Sequence, residues 1–271
     1  MSDSKLSSFL LHKQEQLLKV IPVEELQMVL LQGVAQGKSE STLYGISLPS
    51  VTELWQVDLQ KNLPGWPSLQ LVTEGKACFT CFRDPSLPLS EGLYIFDLQK
   101  KEWVFKDDDL SFVNAQGAKL LTRKAGEEEH YHVLDLTTLS LSQLESQAKW
   151  FKNIILSKQA TKEVLYPYHI GEENTIYKEL VDFVKEKTTH TLTGMVEYLE
   201  WSDNRMLVSY YIEAAEGMSQ YILLTDDNNA IIMHDCMDEK LKGMALDVFM
   251  VVGKQCIYIK NKTQLCVYNL T

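Results

Sequence analysis

Short apolar, aromatic and β-branched runs, each ended by Asp, Asn, Gly or Pro, dominate the chain. Residues 26–34, 41–48 and 52–58 fit successive strands, as do 68–73, 76–83, 91–98 and 102–105. A third set lies at 110–114, 118–123 and 130–136. Residues 142–172 show no clean alternation. Residues 174–187 instead place Ile176, Tyr177, Leu180, Val181 and Val184 on one face at helical spacing. Asn174 is the expected N-cap there, and Lys185 and Lys187 suit the C-terminal end of the helix dipole. A weaker helix is expected over 144–156 from Leu144, Ala148, Phe151 and Ile155. Strands resume at 193–201, 205–213, 218–225 and 229–234, and again at 246–252, 255–260 and 264–270.

Self-similarity narrows the architecture. Tyr44-Gly-Ile-Ser-Leu48, Leu93-Tyr-Ile-Phe-Asp-Leu98 and Tyr131-His-Val-Leu-Asp-Leu136 are each a strand ending in a small polar residue plus Leu. A turn follows, then a second strand opening on a large apolar residue. Aligning Ser47, Asp97 and Asp135 gives periods of 50 and 38 residues. A period of about 40 with four strands per unit is that of a propeller blade, which buries its two faces only between neighbours. The expectation is an all-β, β-propeller-like single domain over 1–271. It has about five blade-like units, near 15–58, 66–106, 109–141, 190–234 and 246–271, with a helical insertion near 142–189. The last unit supplies only three strands, so the apolar run Ser8-Phe9-Leu10-Leu11-His12 is expected to add the missing one, burying its large side chains.

Composition sets the class of partner. The 271 residues carry 45% apolar and 23% charged side chains, which is globular usage. A net charge of −11 has the wrong sign for a nucleic-acid footprint. No run approaches the length of a membrane span, and the patch at Phe9–Leu11 is too short for a signal peptide. Five cysteines, an odd and sparse set in apolar surroundings, fit reduced thiols and a cytoplasmic setting. A protein partner and a monomeric chain are expected, with no cofactor.

The repeats resemble degenerate quinoprotein-type blades through Asp97-Leu98 with Trp103 and through Asp135-Leu136-Thr137-Thr138. The glycine of that family's turn is absent from every copy. The whole chain resembles an uncharacterised bacterial family of Bacteroidetes type and unknown function. The residues carrying this are Trp55, Pro64-Gly65-Trp66, Arg83-Asp84, Gly92–Asp97, Pro167-Tyr168-His169, Glu197-Tyr198-Leu199, Ser209-Tyr210-Tyr211 and Tyr268-Asn269-Leu270. That resemblance implies a fold and no activity.

Motifs with chemical potential have plainer readings. Cys78-Phe-Thr-Cys81 is formally C-x-x-C, but in a strand an offset of three sends the thiols to opposite faces, as core residues rather than a redox or zinc pair. His130-Tyr-His132 puts two imidazoles on one face, a metal-competent spacing that also fits an exposed strand end after an acidic turn. Asp107-Asp108-Asp109 lacks the glycine and terminal Glu of a calcium loop and reads as a solvated connection. No catalytic or metal residue is assigned. Trp66, fixed in direction by Pro64-Gly65 and Pro67, forms the candidate binding patch with Arg83, Tyr168 and His169. The expected function is a non-enzymatic interaction scaffold. The alternative is a hydrolase-like enzyme with an acidic pocket on one propeller face, drawing on Asp84, Asp107, Glu172, Glu173 and His169.

Overall fold

The computed structural model describes residues 6–12, 15–38, 40–84, 90–125, 130–144, 164–201 and 205–270. The chain divides into two compact units, residues 12–161 and residues 1–11 with 162–271. Among the described residues, strands far outnumber helix and form five antiparallel sheets. The chain opens on β1 (Leu6–Leu10), which belongs to the second of these units.

Residues 12–161 hold three four-stranded meanders. The first is β2 (Glu15–Val23), β3 (Met28–Ala35), β4 (Ser41–Ser47) and β5 (Glu53–Asp58). The second is β6 (Trp66–Thr73), β7 (Lys76–Phe82), β8 (Ser90–Asp97) and β9 (Glu102–Asp107). The third is β10 (Leu110–Gln116), β11 (Lys119–Lys124), β12 (Tyr131–Asp135) and β13 (Ser140–Gln143). The middle sheet is covered on both faces, and strand alternation shows how. Ala77, Phe79, Cys81, Tyr94 and Phe96 join a core with Leu30 and Leu43 of the first sheet. Their in-between neighbours Cys78, Leu93 and Ile95 join a core with Leu110, Leu120 and Leu134 of the third. A strand buried on both sides reads as a continuous apolar run, which is why KACFTCF and LYIF look as they do. Trp55 and Trp103 flank Phe96 at ring-centroid distances of 5.8 and 5.2 Å. Gly45 is required under Trp55, because a Cβ there would lie 2.4 Å from the indole.

The three aligned repeat positions build one and the same turn. The Asp97 carboxylate accepts the N–H groups of Gln99 and Lys100 at 3.1 and 2.9 Å, and Asp135 does so for Thr137 and Thr138 at 2.8 and 3.2 Å. The Ser47 hydroxyl oxygen takes that place for Ser50 at 3.5 Å. Four residues on, Val51, Lys101 and Leu139 bond back to the carbonyls of 47, 97 and 135, each with a left-handed φ of 52 to 59°. These occupy the place where a glycine would be unstrained. The following leucines, Leu48, Leu98 and Leu136, are buried and donate their N–H to the preceding hairpin at Gln27, Gly75 and Ala118. Leu270 does the same to Lys254.

In the other unit, β14 (Val164–Leu165) and β15 (Tyr168–Ile170) precede α1 (Tyr177–Thr188). Then follow β16 (Leu192–Trp201), β17 (Arg205–Ala214), β18 (Gly217–Thr225) and β19 (Ile231–Leu241). The chain continues with β20 (Phe249–Val252), β21 (Gln255–Lys260) and β22 (Gln264–Asn269). One sheet is β15-β16-β17-β18-β19 and the other β1-β22-β21-β20-β14. Leu207, Ile222 and Leu224 meet Phe249, Val251 and Tyr258 between them. On the first sheet's other face, Val208, Tyr210 and Leu223 pack under Leu180 and Val184 of α1.

The expected helical face is present, with Ile176, Tyr177 and Val181 lining the same cluster. Its start differs. The helix begins at Tyr177 without a side-chain cap, and Asn174 forms a preceding turn, its side-chain oxygen taking the Ile176 N–H at 3.1 Å. The expected insertion also contains strands β14 and β15, because Val164–Leu165 and Tyr168–Ile170 find edges to pair with. The expected helix over 144–156 lies outside the described residues apart from Leu144. The N-terminal run pairs with β22 as expected, Phe9 opposite Leu265 and Ser7 opposite Val267. Its burial is narrower than expected. Leu11 is 4% exposed and Phe9 half-buried, whereas alternation turns Leu10 outward at 65%.

Candidate functional site

A carboxylate buried in an apolar strand is the starting point. Glu197 lies in β16 between Val196 and Tyr198 and is 3% exposed. Strand register sets it opposite His169 of β15. The third member comes from the connection between β19 and β20, where Asp247 adopts a left-handed φ of 54°. Aspartate tolerates that conformation better than most residues. His169 Nε2 lies 3.1 Å from Asp247 Oδ1 and 3.4 Å from Glu197 Oε1. Among the described residues, His169, Glu197 and Asp247 bring three metal-type donor atoms within 4.8 Å of one another.

Hydrogen bonds hold this arrangement from behind. The Asp247 and Val248 N–H groups donate to Glu197 Oε1 and Oε2, the second at 3.3 Å. Tyr211 grips the same connection: its hydroxyl accepts the Ala245 N–H at 2.9 Å and donates to the Ala245 carbonyl at 3.2 Å. Met244 lies over Gly194, where a Cβ would meet its sulfur at 2.5 Å. Burial pushes the Glu197 carboxyl up to about 7. The Val248 and Asp247 N–H groups and the nearby His169 oppose that rise, and the Asp247 carboxylate adds to it.

Large apolar side chains are exposed along both segments that carry the cluster. Tyr168 is 67% exposed and lies opposite Tyr198, on the other face of the sheet from His169, and Leu165 and Tyr166 just before it are exposed too. Met244 and Leu246, just before Asp247, are exposed on the other segment.

Of the four patch residues expected from the sequence, His169 belongs here, and Tyr168 lies beside it in β15 but faces the other side of the sheet. Trp66 and Arg83 belong to the unit of residues 12–161. Trp66 opens β6 opposite Phe82 and is half-buried, and Arg83 Nε pairs with Glu91 at 2.7 Å on an exposed surface. Gly65 before Trp66 has a φ of 60° and sits where a Cβ would be 2.4 Å from the Phe82 carbonyl oxygen. Among the carboxylates of the enzymatic alternative, Asp107 closes a local turn by accepting the Asp109 N–H, and Glu172 and Glu173 are exposed. Cys78 and Cys81 point to opposite faces, into two different cores, and burial pushes both thiols up to about 12. His132 faces Thr122 and Gln143, and no third donor from the described residues joins His130 and His132. The sequence reading named no metal set and missed Glu197 and Asp247. The available signal is Glu197 set between Val196 and Tyr198 in the apolar run of β16.

No family model and no curated protein matches the chain. Among solved structures, the N-terminal domain of Nup159 is 10% identical over 99% of this chain and 96% of its own, with a TM-score of 0.36. BamB from Moraxella catarrhalis is 10% identical over 96% and 83%, at 0.24. The uncharacterized protein lmo1340 from Listeria monocytogenes EGD-e is 8% identical over 94% and 81%, at 0.33. At this level of similarity nothing about activity or partners carries over.

Proposed function

We propose that the chain is a propeller-like, non-enzymatic scaffold that binds a protein partner through the surface around His169. The propeller reading draws on sheets stacked face to face within each unit and on the thrice-repeated turn. The resemblance to a bacterial family of unknown function forms part of the same reading. The observation that carries the binding role is that the two segments joined by the His169–Asp247 contact both expose large apolar side chains, Leu165, Tyr166 and Tyr168 on one and Met244 and Leu246 on the other. Exposed aromatic and aliphatic side chains on adjoining segments have the composition of an interface core. With Glu172 and Glu173 exposed shortly after His169 in the chain, Asp247 exposed, and a net charge of −11, a partner with a basic rim is favoured. The test is affinity capture from the native host with the wild type and a Tyr168→Ser/Leu246→Ser variant, followed by Kd measurement with the purified partner. A weakening of tenfold or more in the variant supports the reading. Equal binding by the variant, or no protein enriched over an unrelated acidic control, overturns it.

One observation favours the hydrolase-like alternative. A buried carboxyl pushed up to about 7 beside an imidazole is suited to proton transfer near neutral pH. Turnover in an esterase, phosphatase and glycosidase panel that disappears in Glu197→Gln would establish it in place of the scaffold.

A further inference from the structure

We propose that His169, Glu197 and Asp247 form a binding site for one divalent transition-metal ion of the zinc type, with water completing the coordination. Donors to a common ion at about 2.0–2.2 Å lie roughly 3–3.5 Å from their neighbours. The imidazole Nε2 is already 3.1 and 3.4 Å from the two carboxylate oxygens, and all three donors fall within 4.8 Å. Little movement therefore separates this arrangement from a coordination sphere, and the exposed Asp247 side chain is the one placed to move.

The ligand set chooses the ion. One imidazole nitrogen with two carboxylate oxygens suits Zn²⁺, whereas Mg²⁺ and Ca²⁺ take oxygen donors. Three protein ligands from three segments leave a position open, and His169 and Asp247 both reach solvent.

Two features separate the cluster from a chance surface ion pair. Glu197 is buried inside a sheet strand, where chance surface ion pairs do not form. The ligands are also held from outside the cluster. Glu197 is oriented by the N–H groups of Asp247 and Val248, and the connection bearing Asp247 is pinned through Ala245 by Tyr211. Such outer hydrogen bonds fix ligand direction in metal centres. The site stands apart from the scaffold reading, since its readout needs no partner.

The test uses the full-length, tag-free chain stripped with EDTA. Calorimetric titration with Zn²⁺ should give one site per chain with a Kd of about 1 μM or lower. Binding should weaken at least tenfold in His169→Ala and in Asp247→Asn, and remain unchanged in His12→Ala. Co²⁺ should give a visible absorption band in the wild type that Zn²⁺ displaces and a large excess of Mg²⁺ does not. Circular dichroism in EDTA establishes that the variants fold. Glu197→Gln, which keeps the Glu197 shape, replaces any that does not. Absence of saturable one-to-one Zn²⁺ binding, or binding that folded variants leave unchanged, overturns the site.

Discussion

Removing residues 1–11 is the most direct test of how the last sheet is completed. The deletion takes away β1 and with it the ladder to β22. It also removes Leu11, which is buried and whose N–H donates to the Thr263 carbonyl at 3.0 Å, and the Ser8 hydroxyl that accepts from Gln264 at 2.7 Å. Burying one leucine is worth about 1.5–3 kcal/mol. Each ladder hydrogen bond adds about 0.5–1.5 kcal/mol net. Ordering each residue of the strand costs about 1–2 kcal/mol and offsets much of the ladder. The expected loss is therefore about 3 kcal/mol, most of it from Leu11. At roughly 2–4 °C per kcal/mol for a chain of this size, Tm should fall by about 6–12 °C in a circular-dichroism melt. Leu11→Ala should reproduce most of the loss. Leu10→Ser, at an outward position, should change stability by less than about 0.5 kcal/mol. Light scattering should also rise for the deletion, because β22 becomes an open edge. A truncated chain that melts with the full one, or a Leu10→Ser variant as damaging as Leu11→Ala, would refute this account.

Lys101→Gly should stabilise the protein by about 1 kcal/mol, since it relieves a left-handed non-glycine residue whose side chain is exposed; urea unfolding reads this out, and a loss of stability contradicts the turn geometry. Native protein should react with a thiol reagent at Cys236 alone and at all five cysteines once denatured, because the other four are buried; fast native labelling of Cys78 or Cys81 would contradict the two-core arrangement. Burial, with His190 beside it, holds His234 below the ordinary imidazole value, and Asp235 only partly opposes this. The unfolded chain thus binds that proton more readily. Its contribution to stability is complete above the ordinary value of 6.5 and declines as pH falls through the lower folded value. His234→Gln should accordingly show a smaller loss of stability between pH 7.5 and 5 than wild type, and an equal loss would assign the pH dependence elsewhere.

The sheets were legible where burial was strongest. Runs such as KACFTCF are apolar because both faces are covered, and their ends carry the Asp and Ser turns that recur along the chain. Strands with less burial escaped notice. Glu15–Val23 gives no clear strand pattern in the sequence, since most of its side chains are only half-buried and its ladder is interrupted between Leu17 and Lys19. β19 runs to Leu241 although its second half is polar, because Met218 and Gln220 of β18 continue to offer partners. His169 was legible from its place in a Tyr-Pro-Tyr-His segment. Its partners were not, because strand register selects Glu197, and Asp247 is delivered by a connection whose path depends on Tyr211 and on Glu197 itself.

Pairing the first strand with the last imposes an order on synthesis. The bond between Ser8 and Gln264 joins residues 256 positions apart. At about 5–20 residues per second, β1 leaves the ribosome roughly 10–50 s before its partner does. Bringing such distant segments together costs roughly 5 kcal/mol of loop-closure entropy if the intervening chain is flexible. Residues 12–161 need no strand from later in the chain to complete their three sheets. They can fold while β1 waits for its partner. During that interval Phe9 and Leu11 lack the partner strand that covers them, and β1 presents an unpaired edge.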